Sequence, residues 1–143
     1  MSDVVIIDGV RSPIGKFGGG LSSVRPDDLL AHVLKALMER TGVDAALIDD
    51  VYAGCGNQAG EDNRDVARMA ALLAGFPVEV PGVTVNRNCA SALDAVNLAA
   101  KSILAGEGDV FIGGGVESMS RAPWSMPKPE RVPAFGDPKI FDT

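Results

Sequence analysis

The stretch from about Cys89 to Leu104 constrains the fold more than any other part of the sequence. Its few polar residues fall on one narrow stripe and the rest are almost all Ala, Leu, Val and Ile, which predicts a helix buried on most sides and ended by Gly106. Short apolar runs lie directly before and after it, at residues 83–85 and 110–112. A strand, a helix and a strand in this order predict a βαβ unit with parallel strands.

The same alternation continues along the rest of the chain. Two further strands are predicted at residues 4–8 and 50–54, and two further helices, one opened by Pro26 and ended by Gly42, the other from about Arg64 to Ala74 and capped by Asn63. The 17 glycines and the scarcity of aromatic residues indicate backbone packed closely on backbone. We therefore expect an α/β fold, with βαβ units, right-handed crossovers and a mostly parallel central sheet.

The character of the sequence changes at residue 121. Prolines at positions 123, 127, 129, 133 and 138 break any regular element from there on. The sequence therefore predicts an α/β domain over residues 1–120. Residues 121–143 are predicted to begin an incomplete, proline-rich loop segment.

Composition and charge disfavour several classes of function. The net charge is −6 and no basic run is present, so the chain lacks the electrostatic footprint of a nucleic-acid-binding protein and would be repelled by anionic membranes. No apolar run approaches the roughly 20 residues that span a bilayer. The first residues also lack the basic region and the small-residue cleavage site of a signal peptide. We expect a cytoplasmic protein with no nucleic-acid or membrane partner.

The chain carries two cysteines and a single histidine, His32. Cys55 and Cys89 form no CxxC pair, so no zinc site of the usual ligands is expected and both are expected to be free thiols. His32 falls with charged residues such as Lys35 and Glu39 on the polar face of the first helix. This position predicts a solvated surface histidine.

Cys89 is the residue best suited to chemistry. It is predicted at a strand-to-helix turn, where unpaired amides and the positive end of the helix dipole favour a thiolate and can stabilise an oxyanion. The small residues 90–92 leave room for a substrate, and an acyl group on such a thiolate transfers readily. The pattern leaves a second interpretation open, in which Cys89 is a small buried residue at a helix start. For Cys55, between Gly54 and Gly56 with no helix following, the structural interpretation is favoured.

Four segments, in order along the chain, resemble the thiolase family. They are residues 11–15 (RSPIG), 56–63 (GNQAGEDN), 86–92 (NRNCASA) and 113–120 (GGGVESMS). The third resembles the family's active-site cysteine segment, and together the four span most of the chain. The resemblance implies a thiolase-like N-terminal domain with a buried helix starting at the cysteine. It also implies that Cys89 is the acyl-carrying nucleophile and that its backbone amide contributes to an oxyanion hole.

The resemblance further implies an activity. It is that of an acyl-CoA C-acyltransferase, a thiolase that moves an acetyl or acyl group to or from CoA. The implied substrates are acyl-CoA and CoA, with no tightly bound cofactor and no metal. The complete form is implied to be a homo-oligomer. Residues 58–68 and 121–123 are similar to thiolases that cleave 3-oxoadipyl-CoA in aromatic-compound breakdown. Asn88 and Ala92 depart from the residues more usual beside the cysteine, which bears on substrate preference more than on reaction type.

Thiolases activate the cysteine with a histidine and use a second cysteine as acid/base, both from the carboxy-terminal half. That half is absent from this chain, so we expect an incomplete amino-terminal part that is inactive or half-reactive alone. One alternative is a non-catalytic assembly module of the same fold, with Cys89 structural and the apolar helix facing a partner. Another is a cysteine hydrolase using His32, which the polar-face position of that histidine disfavours.

Overall fold

A computed structural model of the chain describes residues 3–58 and 60–126. Its elements are α1 (Pro26–Thr41), β1 (Asp50–Gly54), α2 (Val66–Leu73), β2 (Gly82–Val85), α3 (Ser91–Ala105) and β3 (Phe111–Gly115), with short 3₁₀ turns at Ala45–Leu47 and Gly60–Asp62. The strands pair in parallel in the order β2-β1-β3. The predicted α/β fold with a mostly parallel sheet is confirmed.

The two helices that follow β1 and β2 cover opposite faces of the sheet. On one face, Val51 and Ala53 of β1 are buried in a core shared with α1 and α2. On the other face, the Tyr52 hydroxyl lies 3.1 Å from Oγ of Ser102 in α3. The chain moves outward from β1 to β2 and back past β1 to β3, so two crossovers of the same hand place their helices on opposite faces. Helix α3 is therefore the element that reaches the sheet from the side of Tyr52.

Glycines in the sheet allow α3 to approach the strands closely. A Cβ added to Gly54 at the end of β1 would lie 2.2 Å from the backbone nitrogen of Ala92. One added to Gly113 in β3 would lie 2.8 Å from Cα of Val96. Any larger residue at these positions would push the helix away, so the glycines fix the start of α3 against the ends of the strands.

The predicted first strand, residues 4–8, is wrong for the chain as it stands. The segment forms no strand, and most of its apolar side chains are exposed, Ile6 by 84%. A β-type sequence becomes a strand only where a neighbour supplies ladder hydrogen bonds, and among the described residues none pairs with this segment. Its end is held instead by an ion pair of 2.7 Å between Asp8 and Arg40 of α1.

Helix α1 confirms its predicted limits, since Pro26 lies at its first turn and Gly42 ends it with a left-handed backbone, φ 68°. His32 is exposed on this helix, as predicted. Helix α2, in contrast, starts later than predicted. Asn63 and Arg64 have left-handed backbones, φ 53° and 60°, which a right-handed helix does not allow.

Asp65 is the residue that caps α2. Its Oδ1 accepts a hydrogen bond of 3.3 Å from the backbone N–H of Arg68 and one of 2.8 Å from the hydroxyl of Thr84 in β2. A side-chain oxygen at this position satisfies an orphan amide of the first helical turn. The cap therefore also ties the start of α2 to β2.

Helix α3 is buried along one face only, which is narrower than predicted. The residues against the sheet are Ser91, Ala95, Ala99 and Ser102, whereas Leu93 and Leu104 are 64% and 62% exposed. The apolar residues of the other faces are exposed or only half-buried. The all-round apolar pattern therefore exceeds what these three strands can cover.

A chain of ion pairs ties the start of α1 to the segment that follows β3. Arg25 pairs with fully buried Asp27 at 2.6 Å and donates to the carbonyl of Glu61. The Glu61 carboxylate in turn accepts two hydrogen bonds of 2.6 Å from Arg121, which lower its pKa. The chain is thus anchored as far as Arg121. Residues 127–143 lie outside the described residues, so the boundary at residue 120 stays a prediction.

Candidate active site

Cys89 lies in the turn between the end of β2 and the start of α3, as an exposed free thiol. The helix begins at Ser91, so Cys89 precedes it and does not start it. This placement confirms the predicted strand-to-helix turn and corrects the predicted helix start. The exposure contradicts the alternative interpretation in which Cys89 is a buried residue.

The backbone of this turn is held in an unusual conformation. Asn88 has a left-handed backbone, φ 50°, which asparagine tolerates better than most residues. The buried Ser91 hydroxyl accepts a hydrogen bond of 2.7 Å from the N–H of Arg87 and donates one of 2.6 Å to the carbonyl of Asn88. The identity of residue 88 therefore suits the left-handed backbone of this turn.

The amides after the cysteine are used within the turn. The N–H groups of Ala90 and Ser91 donate to the carbonyls of Arg87 and Asn88, each at 3.1 Å. The prediction of unpaired amides aimed at the thiol is thus wrong for these two groups. The role of the Cys89 amide as an oxyanion donor stays a prediction.

The Cys89 thiol lines a cleft of about 640 Å³ at the carboxyl edge of the sheet. Three segments meet there, one after each strand. They contribute Gly54, Gly56 and Asn57 from the end of β1 onward, Asn88, Cys89, Ser91 and Ala92 after β2, and Gly115, Val116, Glu117 and Met119 from the end of β3 onward. The carboxyl ends of parallel strands are where α/β proteins build their sites.

Glu117 is a cleft residue whose role sequence reasoning missed. Its carboxylate accepts hydrogen bonds from the N–H groups of Gly56 at 2.7 Å and Asn57 at 3.0 Å. It also accepts a longer one, 3.7 Å, from the thiol of Cys55. The signal available in the sequence was a carboxylate just beyond a glycine-rich strand, on the edge of the sheet where Cys89 was expected.

Cys55 lies in the opposite environment to Cys89. It is 1% exposed. Burial, together with the nearby carboxylates of Glu117 and Asp62, raises the pKa of its thiol to about 12. Such a thiol stays protonated and inert at neutral pH, in agreement with the structural role predicted for Cys55.

The chain's single histidine, His32, does not line the cleft. A second concavity of about 510 Å³ lies between residues 10–17, α1 and residues 115–120, and His32 is not among its lining residues either. Pairing of His32 with Cys89 therefore has no support in the structure.

Two further features bear on the predicted classes. Within residues 3–58 and 60–126, no group of three or more His, Cys, Asp or Glu side chains is placed to hold a metal ion. No helix in this part of the chain is long and apolar enough to cross a bilayer.

The fold and the cysteine turn define a thiolase-type domain, and the family comparison agrees. The family model of the thiolase N-terminal domain matches residues 4–139, so the chain belongs to the thiolase family. The beta-ketoadipyl-CoA thiolase of Pseudomonas aeruginosa is 60% identical over 143 residues, covering 99% of this chain and 35% of its own length. The 3-oxoadipyl-CoA/3-oxo-5,6-dehydrosuberyl-CoA thiolase of Escherichia coli is 57% identical over 145 residues, with 100% and 36% covered.

A solved structure shows the same fold. The acetyl-CoA acetyltransferase of Bacillus anthracis superposes with a TM-score of 0.89 at 39% identity, covering 96% of this chain and 35% of that one. The chain therefore spans about a third of the length of the relatives that it matches.

Proposed function

We propose that this chain forms the amino-terminal part of an acyl-CoA C-acyltransferase, a thiolase, in which Cys89 carries the acyl group. The observation that supports this most is the position of the Cys89 thiol, exposed in a cleft where the segments after all three strands meet. The second cysteine is buried and has a raised pKa. Membership of the thiolase family supports the reaction type.

The chemistry needs a thiolate and two bond exchanges. The Cys89 thiolate attacks the carbonyl carbon of a CoA thioester, and the tetrahedral intermediate collapses with cleavage of the bond to the CoA sulfur. CoA leaves as a thiolate that takes up a proton, and Cys89 holds the acyl group as a thioester. In the synthetic direction, the α-carbanion of a second acyl-CoA attacks this thioester and expels the Cys89 thiolate.

In the degradative direction, Cys89 attacks the 3-oxo carbon of a 3-oxoacyl-CoA. The bond between C2 and C3 breaks, and the departing acetyl-CoA carbanion takes up a proton. The thiolate of free CoA then accepts the acyl group from Cys89. Both directions pass through an oxyanion, for which the Cys89 amide is the proposed donor in this chain.

The proton transfers need groups outside this chain. The family resemblance assigns them to a histidine and a second cysteine of the carboxy-terminal half, and His32 lies away from the cleft. We propose that the complete protein takes acyl-CoA and CoA as substrates without a tightly bound cofactor, as a cytoplasmic homo-oligomer. The names of the Pseudomonas aeruginosa and Escherichia coli relatives support 3-oxoadipyl-CoA as the substrate.

A non-catalytic assembly module is the second candidate. The exposed apolar residues of α3, such as Leu93 and Leu104, favour it because they offer a surface for a partner. The two candidates differ in whether Cys89 takes an acyl group, since an assembly module has no use for a reactive thiol.

The test is the intact mass of the chain after mixing with acetyl-CoA, followed by peptide mapping. It is run on the chain alone and on the chain supplied with the remaining two thirds of the Pseudomonas aeruginosa relative. We expect one acetyl group, on Cys89, with a much higher yield in the second sample. An unmodified Cys89 in both samples, with the fold intact, would overturn the proposal in favour of the assembly module.

A further inference from the structure

We propose that Glu117 is a positioning residue, which sets the geometry of the Cys89 turn through a continuous path of hydrogen bonds over Gly56 and Asn86. The inference rests on the proposed function in one respect, that Cys89 is taken as the nucleophile. Glu117 and Cys89 come from segments after different strands, so the path joins two walls of the same cleft.

The path begins at the Glu117 carboxylate. Its Oε2 accepts from the N–H of Gly56 and its Oε1 from the N–H of Asn57. Hydrogen bonds of amides to a carboxylate are stronger than those between neutral groups. Glu117 therefore fixes two successive peptide units of the segment that follows β1.

Gly56 passes this constraint on to the segment after β2. Its carbonyl accepts a hydrogen bond of 2.8 Å from Nδ2 of Asn86. The other end of the same side chain, Oδ1 of Asn86, accepts one of 2.9 Å from the N–H of Asn88. A Cβ at Gly56 would lie 3.1 Å from Oε2 of Glu117 and 3.9 Å from Cα of Asn88, so Gly56 lies beside both residues.

The path ends at the residue whose conformation decides where the sulfur points. Asn88 precedes Cys89 and has the left-handed backbone, φ 50°, which is disfavoured and persists only when its surroundings hold it. Asn86 holds its N–H and Ser91 holds its carbonyl. Weakening either hold lets Asn88 relax, and the direction of the Cys89 side chain changes with it.

Glu117→Gln is the variant that weakens the path at its start. A carboxamide offers one oxygen as an acceptor, and its NH2 group donates, so one of the two amides at Gly56 and Asn57 loses its partner. Glu39→Gln is the matched control, because it removes the same charge from the exposed polar face of α1. Far-UV circular dichroism and urea denaturation check that each variant is folded.

The first readout is the amide NMR spectrum of the labelled 14.8 kDa chain. Glu117→Gln is expected to shift the Asn88 backbone peak and the Asn86 side-chain NH2 peaks by more than a linewidth, while Glu39→Gln leaves both in place. If only the Gly56 and Asn57 peaks move, nothing is transmitted to the cysteine turn and the proposal is overturned. This readout does not depend on acyl transfer.

The second readout compares two reactions of Cys89. Acylation by acetyl-CoA requires an aligned sulfur and is expected to slow about tenfold in Glu117→Gln, the effect of losing one hydrogen bond to a charged group. Alkylation by iodoacetamide, which needs only exposure, is expected to stay within about twofold. If the wild-type chain reacts and Glu117→Gln reacts at the same rate, the positioning role is overturned and the proposed function still stands.

The exposed residue Asn86 provides a second variant if Glu117→Gln fails to fold. Asn86→Ala cuts the same path at its next step and should slow acylation by a similar factor. In the double variant the two losses should not multiply, because both act through one path. Multiplying losses would overturn the proposal. A wild-type chain that takes no acyl group, even when supplied with the remaining two thirds of the relative, would count against the proposed function alone, and the NMR shifts would still decide the role of Glu117.

Discussion

Cys55 and Cys89 follow neighbouring strands of one sheet, and their surroundings differ in almost every respect. Cys55 comes directly after β1, and its N–H still donates to the carbonyl of Val85 in β2 at 3.0 Å, so the ladder of the sheet continues through it. Cys89 comes after the chain has left the ladder at Asn86 and turned toward α3. The first cysteine is buried and the second exposed, because one belongs to the sheet and the other to a turn beyond it.

The charges around the two thiols differ as well. The Cys55 thiol lies near the carboxylates of Glu117 and Asp62, which add to the effect of burial in raising its pKa. The Glu117 carboxylate that opposes ionisation of Cys55 also anchors the path to the Cys89 turn. The Glu117 carboxylate thus has two roles. It helps to keep the buried thiol of Cys55 protonated, and it supports the turn that exposes Cys89 to the cleft.

The largest effect is expected from removing the exposed thiol. Cys89→Ala should abolish the acetyl adduct, since no other group in the cleft is a thiol, and should leave the fold intact because the side chain is exposed. Intact mass after mixing with acetyl-CoA measures the adduct. The matched variant is Cys55→Ala, which should keep the adduct on Cys89. An adduct that is still present in Cys89→Ala would show that Cys89 is not the nucleophile.

Alkylation of the folded wild-type chain tests the contrast without any substrate. At pH 8 a thiol of pKa about 12 is ionised in about one molecule in ten thousand. We expect iodoacetamide to modify Cys89 at least about a hundredfold faster than Cys55, as followed by peptide mapping. Raising the pH toward 11 should speed the Cys55 reaction about tenfold per unit, since the thiolate fraction grows until the pKa is reached. In denaturant the two rates should converge.

The sequence was sufficient where an element carries its own signals. Pro26 and Gly42 delimit α1, and the strands at 50–54 and 82–85 follow from local apolar runs bounded by turn residues. Whether Cys89 was buried could not be read from its neighbours, because small residues suit both a packed helix start and an open cleft. The position of Cys89 after a strand and before a helix, in contrast, could be predicted from the sequence.

Features that depend on distant partners were missed or overestimated. The apolar run at residues 4–8 has β-type residues, yet strand formation needs a neighbouring strand that no local pattern reveals. The link between Glu117 and Gly56 spans 61 positions of sequence. Asn63 and Asp65 are both good caps by residue type. Asp65 caps α2 because Asn63 and Arg64 have left-handed backbones, so the helix starts after them.

Gly54 comes directly before Cys55 and lies against the start of α3, which follows Cys89, so a larger residue there should disturb both segments. Its added Cβ would overlap the backbone at Ser91 and Ala92, so we expect Gly54→Ala to lower the free energy of unfolding by about 3 kcal/mol. Gly114→Ala is the matched control in β3, because a Cβ there meets nothing within 4 Å; its effect should stay within about 0.5 kcal/mol. Urea denaturation measures both. Equal costs at the two glycines would mean that α3 does not lie against the end of β1 as described.

The smallest effect on stability is expected from the removal of a hydroxyl of the Cys89 turn. Ser91→Ala removes the hydrogen bonds to the N–H of Arg87 and the carbonyl of Asn88, at a cost of about 1 kcal/mol. Ser102→Ala removes the partner of the Tyr52 hydroxyl further along α3 and should cost about as much. Urea denaturation is expected to rank the two variants together.

The two serine variants should separate in the reactivity of the exposed thiol. Ser91→Ala leaves the carbonyl of Asn88 with only the hydrogen bond from the backbone N–H of residue 91 and should slow acylation of Cys89 by a few-fold. Ser102→Ala should leave the rate unchanged, because the Ser102 hydroxyl contacts Tyr52 of the sheet and not the turn. Cys55 should stay protected in both variants. If the two variants slow acylation equally, the reactivity of Cys89 depends on the stability of α3 as a whole. If only Ser91→Ala slows acylation, the reactivity depends on the conformation of the turn itself.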